Sequence, residues 1–239
     1  MTTSTSLPQR LYLMQVVIQP SVPCYLVQTS DGKNILIDSG LPSVFPPGFQ
    51  RPAGLPEPHF GKNVVEQLAT LGLQPDAIDI LVCTHFDMDH AGNHDLFPHA
   101  ELVVQRSHYE LARGGYPRFA PMRSHWDHPE LRYQLVDGDT ELLPGIELIE
   151  TSGHTTGHQS VLVRLPNTGP VLLTIDAVTV QQAFTPEREL SQFDENLELL
   201  RASTRKLLDL VQREQVTLTV FGHDAPQWQT LKKAPEYYD

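Results

Sequence analysis

Apolar and polar positions alternate along the chain in blocks that predict strands in both halves, with helices between and after them. LYLMQVVI (11–18), PCYLVQT (23–29) and KNILIDSG (33–40) are rich in branched and apolar residues, and Asp31–Gly32 between the last two has the chemistry of a hairpin turn. The chain therefore opens as a β-meander. In NVVEQLATLG (63–72), Val64, Val65, Leu68 and Leu71 recur at helical spacing and Gly72 supplies a stop, after which AIDILVCT (77–84) runs as a buried strand. AELVVQ (100–105) predicts another strand, and SHYELAR (107–113) a short helix with Ser107 as its N-cap. Strands resume in RYQLVDGD (132–139), GIELIETSG (145–153), QSVLVRL (159–165) and GPVLLTID (169–176). A long amphipathic helix over about 194–214 and a last strand, VTLTVFGH (216–223), follow.

Two stretches break this rhythm. Residues 41–61 hold six prolines and several aromatics, and 114–130 end in SHWDHPE; both predict long irregular loops, the first a candidate lid. No short-period repeat and no linker-like change of composition interrupts the rest. The expectation is an α/β chain forming one domain over 1–239, two sheets face to face under helices, with loop insertions at about 41–61 and 114–130 near the active site.

Composition narrows the functions open to such a fold. Hydrophobic residues make up 40% of the 239, enough for a sizeable core. The formal net charge of −12 argues against nucleic acid, whose phosphates need clustered Lys and Arg. MTTSTSLPQR at the start carries no apolar signal core, and no stretch approaches the roughly 20 apolar residues of a membrane span. A soluble, cytoplasmic protein is expected, with no membrane partner. Cys24 and Cys83 lie in apolar strand-like surroundings and predict buried free thiols rather than a disulfide.

The candidate chemistry lies at strand ends. THFDMDHAGN (84–93) follows an apolar strand and sets His85, Asp87 and Asp89 at every second place, with His90 directly after. Three later strand ends carry His154 in SGHTTGH, Asp176 in TID and His223 in FGHD. A sheet aims side chains from distant parts of the sequence into one cleft at such ends. Imidazole and carboxylate ligands without thiolate suit borderline to hard divalent metals, and seven of them exceed what one tetrahedral ion needs. They fit two metals, bridged by one carboxylate and one water-derived hydroxide. Singly, Asp176, His154 or His223 is more often a cap or a surface residue; the joint occurrence carries the inference. His59, His94, His99, His108, His125 and His128 are expected in loops or at the surface, and His158 behind the site as a hydrogen-bonding support.

These residues resemble the metallo-β-lactamase fold superfamily, whose H-x-H-x-D-H motif is followed by a His, an Asp and a His at later strand ends. The match falls at His85, Asp89, His90, His154, Asp176 and His223 and spans nearly the whole chain. It implies an αβ/βα sandwich, two mixed β-sheets flanked by helices. The spacing from His154 to Asp176, the early loop and the AGN after His90 look most like the quorum-quenching N-acyl homoserine lactonases. The resemblance implies His85, Asp87 and His154 on one metal, Asp89, His90 and His223 on the other, and Asp176 as bridge. Hydroxide would attack a lactone or ester carbonyl, and Asp89 would carry the proton to the leaving oxygen. Zinc is the expected metal.

Two positions depart from that pattern. Asp87 stands where the family has its second His, which adds negative charge and favours Mn or Fe. Thr179 stands three places after the bridging Asp, where the acyl homoserine lactonases usually have Tyr. Phe45, Phe49 and Phe60 in the early loop, with Tyr116, Phe119 and Trp126 in the later one, are expected to line an apolar substrate pocket together with Thr179. Apolar surface on the early loop also suits a homodimer. A thioesterase of the glyoxalase II type would need basic residues near the C-terminus, where only Lys232 and Lys233 cluster. A β-lactamase would need an export signal and a nuclease a basic surface, while a non-catalytic metal-binding module would be the outcome of a site decayed at Asp87.

Overall fold

Strands β1 (Pro8–Gln19), β2 (Val22–Thr29) and β3 (Asn34–Ile37) pair antiparallel as the expected meander. The turn between β2 and β3 places Gly32 at φ 88°, a conformation that costs glycine little. The computed structural model describes residues 6–42, 44–45, 49 and 57–239. A two-residue strand, β4 (His59–Phe60), pairs with the outer edge of β1 inside the stretch expected to be irregular. Helix α1 (Val64–Thr70) starts at a capping box, with Asn63 and Glu66 each bonding the other's backbone N–H. Then β5 (Ile80–Val82), helix α2 (Met88–Ala91), β6 (Glu101–Gln105), helix α3 (Arg106–Arg113), helix α4 (Arg123–Trp126) and β7 (Arg132–Val136) complete the first half. The first sheet has seven strands in the order β4-β1-β2-β3-β5-β6-β7, parallel from β3 onward.

The second sheet holds five strands in the order β12-β11-β10-β9-β8. These are β8 (Thr140–Leu143), β9 (Ile146–Glu150), β10 (Gln159–Leu165), β11 (Gly169–Ile175) and β12 (Leu218–Phe221), with α5 (Leu197–Arg213) between the last two and α6 (Ala225–Thr230) after them.

Side-chain alternation makes the layers. Leu11 and Leu13 of β1, Tyr25 and Val27 of β2, and Val171, Leu173 and Ile175 of β11 meet between the sheets. Their neighbours Tyr12, Met14, Cys24 and Leu26 face α1 and the loops on the outer side, and Leu172 faces α5 with Leu207 and Leu210. Both sheets are thus covered on both faces, which is why their strands read as continuous apolar runs. Cys24 and Cys83 are free and buried on the outer side of the first sheet, as expected.

The structure corrects three details. Ser107 is not an N-cap: α3 begins at Arg106 directly after β6, so Gln105 occupies the cap position without a side-chain cap bond. The Gln105 amide instead donates to the Gly138 carbonyl and to Gln159. The stretch 114–130 is not irregular, because a 3₁₀ turn (Pro117–Met122) and α4 bury Phe119, Met122 and Trp126 in the outer core. His94 and His108, expected in loops or at the surface, are fully buried. Ser43, residues 46–48 and residues 50–56 carry most of the expected lid and dimer surface and lie outside the described residues. Among the described residues, no helix is long and apolar enough to cross a membrane.

Candidate metal centre

Three strand ends and one loop converge. β5 ends at Val82 and delivers His85 and Asp87; Asp87 is the cap position of α2, whose first turn carries Asp89 and His90. The loop between β9 and β10 supplies His154, β11 ends at Asp176, and β12 runs into His223. Where β11 ends, Ile175 has φ 52°, a costly value for a β-branched residue. This left-handed residue directly precedes Asp176, so the backbone leaves the strand direction where that carboxylate is placed.

The seven side chains form two triads joined by one carboxylate. Asp87 Oδ2 is 3.3 Å from His85 Nε2 and 3.2 Å from His154 Nε2. Asp89 Oδ2 is 3.8 Å from His90 Nε2 and 3.7 Å from His223 Nε2. Between them, Asp176 Oδ2 lies 3.4 Å from His154 Nε2 and 3.9 Å from His85 Nε2, while its Oδ1 lies 3.0 Å from His223 Nε2 and 3.5 Å from His90 Nε2. Ligands bonded to one ion at roughly 2.0–2.2 Å are separated by such distances. His85 Nε2, His90 Nε2 and Asp176 Oδ1 are buried and make no hydrogen bond. Buried polar atoms are ordinarily paired, so a donor set of this kind fits divalent cations.

Groups behind the ligands fix which ring nitrogen faces inward. His90 Nδ1 is 2.8 Å from Asp38 Oδ2, and Asp38 also accepts from the Thr84 backbone N–H and hydroxyl. His154 Nδ1 donates to Asp194 at 3.0 Å and His223 Nδ1 to the Ser21 carbonyl at 2.6 Å. His158, expected as a support, accepts from the Asp176 backbone N–H through Nε2 and bonds Thr151 Oγ1 through Nδ1. Each outer partner leaves Nε2 of its ligand toward the cluster.

The carboxylates dominate the local field. Burial opposes protonation of His154 and His223, but Asp176 beside both rings raises each to about 9. Burial likewise works against the charge on Asp176, and the neighbouring His223, His90 and His154 hold it well below the usual carboxylate range nonetheless. His85, buried next to His90, is depressed well below an ordinary histidine.

Three polar residues essential to this arrangement were not singled out from sequence: Asp38, Asp194 and Arg118. Arg118 Nε donates to Asp87 Oδ1 at 2.7 Å and its Nη2 to Oδ2 at 2.5 Å, a two-point ion pair. Nη2 also stands 2.9 Å from His154 Nε2, and Nη1 donates to the Phe193 carbonyl and to Glu195. The ILID at 35–38 repeats the strand-end pattern of TID and could have flagged Asp38; Asp194 and Arg118 sit in loops with no such signal.

The expected pocket residues scatter. Thr179 is beside the cluster, its carbonyl accepting from the His223 N–H at 2.8 Å. Tyr116 donates to Glu195, the carboxylate that also holds Arg118. Phe119 and Trp126, at 0% and 1% exposure, are core residues instead of pocket lining, because the 3₁₀ turn and α4 that carry them pack into the core on the outer side of the first sheet. Phe45 and Phe49 stack on each other at 4.8 Å against that same core, and Phe60 is exposed on edge strand β4. A concavity of about 520 Å3 lies at Arg10, Gln28, Asn167, Tyr237 and Asp239 and includes no member of the cluster. The site is recognised by its side-chain chemistry.

Comparison with known proteins agrees with this fold. Residues 18–223 match the family model of the metallo-beta-lactamase superfamily. An N-acyl homoserine lactonase of a Bacillus species is 34% identical over 221 residues, 90% of this chain and 85% of that protein. The N-acyl homoserine lactonase AttM of Rhizobium johnstonii is 33% identical over 91% of this chain and 87% of its own length. Among solved structures, an N-acyl homoserine lactone hydrolase with N-hexanoyl-L-homoserine bound at its catalytic metal centre superposes with a TM-score of 0.83, at 28% identity over 97% of this chain and all of that one. With the family model matched over most of its length and relatives a third identical to it, the chain belongs to the metallo-beta-lactamase superfamily.

Proposed function

We propose that the protein is a lactonase that opens an ester ring, with His85, Asp87 and His154 holding one divalent metal and Asp89, His90 and His223 a second. The observation that carries this is Asp176, whose single carboxylate reaches histidines of both triads, with Oδ2 3.4 Å from His154 Nε2 and 3.2 Å from His223 Nε2 and Oδ1 3.0 Å from His223 Nε2. The lactonase relatives supply the reaction class. Two divalent ions, zinc first and manganese or iron as alternatives, supply an activated water and polarise the ester carbonyl.

The chain's own groups do the rest. Asp176 spans the two triads and sets their separation. Asp89, whose side chain is 27% exposed, reaches solvent from the cluster and is placed to carry a proton to the leaving oxygen. A ring ester suits such a site because its leaving oxygen stays tethered beside the group that must protonate it. Thr179 and Tyr116, beside the cluster, support roles in substrate contact. The buried unpaired thiols suit a cytoplasmic setting.

The test is elemental analysis of protein purified without added metal, together with hydrolysis of a panel of acyl homoserine and simple lactones. About two metals per chain with ring opening, both lost in Asp176→Ala, supports the proposal. One metal or none, without turnover after reconstitution, would leave a binding module.

A further inference from the structure

Asp87 replaces an imidazole that the family motif has at this place, and by charge alone it makes the first triad one unit more negative than three imidazoles would. The structure sets a cation against it. Arg118 grips both Asp87 oxygens, at 2.7 and 2.5 Å, and every nitrogen of its guanidinium is engaged. Nη1 is tied to the Phe193 carbonyl at 2.7 Å and to Glu195 at 3.2 Å, so the fork is held from the loop that also supplies Asp194 to His154. The planar fork fixes the plane of the carboxylate, which a lysine at the same place would leave free to rotate.

We propose that Asp87 and Arg118 act as one unit in place of an imidazole: a carboxylate ligand whose orientation is fixed and whose charge is cancelled by the arginine. Asp87⁻ with Arg118⁺ has the same net charge as a neutral imidazole. The first triad then keeps the net charge of the family's three-imidazole set, and the preference for Mn or Fe expected from a bare carboxylate is removed. Arg118 is a positioning residue, acting on the metal only through Asp87 and the His154 ring. The inference rests on the two-metal reading of the site and deepens it.

The two residues are therefore expected to be replaceable together but not separately. The test is a double-mutant cycle of Asp87→His, Arg118→Gln and the double variant, reading zinc affinity of metal-free protein by competition with a chromogenic chelator. The second triad serves in every variant as an internal check that the site is folded. Asp87→His alone leaves the Arg118 guanidinium, with Glu195 as its remaining carboxylate partner, facing an imidazole and His154 Nε2, and weakens the first triad by about 10- to 100-fold, the scale of losing an outer partner. In the Arg118→Gln background the same substitution completes an ordinary imidazole triad, and affinity returns to within a few-fold of the original protein. A second readout is metal selectivity: Arg118→Gln shifts preference from zinc toward manganese, and the double variant shifts it back.

Additivity, with Asp87→His costing the same in both backgrounds or nothing in either, overturns the unit. So does a manganese preference in the original protein. Failure of the original protein to take up two metals would count instead against the proposed function, so the two failures are distinguishable.

Discussion

The two triads use the same atoms and are supported in opposite ways. Around Asp89, His90 and His223, support comes from the rigid sheet: Asp38, fully buried where β3 ends, holds His90, and the Ser21 carbonyl between β1 and β2 holds His223. Asp38 has φ 58°, and burial pushes its carboxyl up despite the hydrogen bonds from His90 and Thr84. In the other triad His85 is held by the Thr84 hydroxyl, but support for Asp87 and His154 comes from loops. Arg118 lies in the turn before α4 and Asp194 in the segment before α5, and the Arg118 side chain is still 21% exposed. A site anchored in a sheet is set once the sheet forms. One anchored by loops depends on those loops docking, so its metal affinity is the more readily changed by substitution.

The largest effect breaks the comparison by removing what the triads share. Asp176→Ala should abolish tight binding at both and lower lactone hydrolysis by about 10³-fold or more, the upper scale of losing one preorganised electrostatic group. Metal analysis and turnover on the same sample check this; retention of both metals would contradict it.

Next, each triad is weakened through its own support. Asp38→Asn should reduce metal affinity at the second triad, and Asp194→Asn at the first, each by about 10- to 100-fold. Chelator competition should show one affected binding step in each variant. An identical change in both would mean that the triads are not independently supported.

Acid should sharpen the comparison further. His94, hydrogen-bonded to Ser39 behind the second triad, is lowered by burial to about 3; His108, which accepts from the Phe86 N–H behind the first, is lowered by burial to about 4. Both imidazoles are neutral when folded and take up a proton on unfolding below the ordinary value near 6.5. Their contribution is therefore complete above pH 6.5 and is lost as pH falls, toward about 4 for His108 and about 3 for His94. Each contributes up to about 1.4 kcal/mol per pH unit in its window. Urea midpoints of metal-free protein should fall across this range, and His108→Gln should flatten the slope between pH 6.5 and 4 by up to one proton.

The smallest expected effect lies at the edge of the loop-supported side. Asn196 caps α5 by accepting from the Leu199 N–H at 3.0 Å, next to Asp194 and Glu195. Asn196→Ala should cost about 1 kcal/mol in stability. If the loops around the first triad dock independently of α5, thermal unfolding will move while metal affinity does not.

The sequence by itself determined the strands and the two-sheet architecture, because a strand buried on both faces must be apolar at every position, as in ILIDSG, IDILVC and PVLLTID. It also marked the seven residues that converge in space, because His and Asp placed directly after such runs have few other reasons to recur in order. Only the tertiary structure decided that Phe119 and Trp126 face the core, that His94 and His108 are buried and neutral, and that Arg118 meets Asp87. These outcomes depend on contacts between residues 31 and more positions apart, as between Arg118 and Asp87 or His90 and Asp38. Local periodicity reports which side of an element is buried, but not which distant charge will stand against it. A carboxylate in a metal motif looks the same in sequence whether it is bare or neutralised, and the packing of a loop decides which.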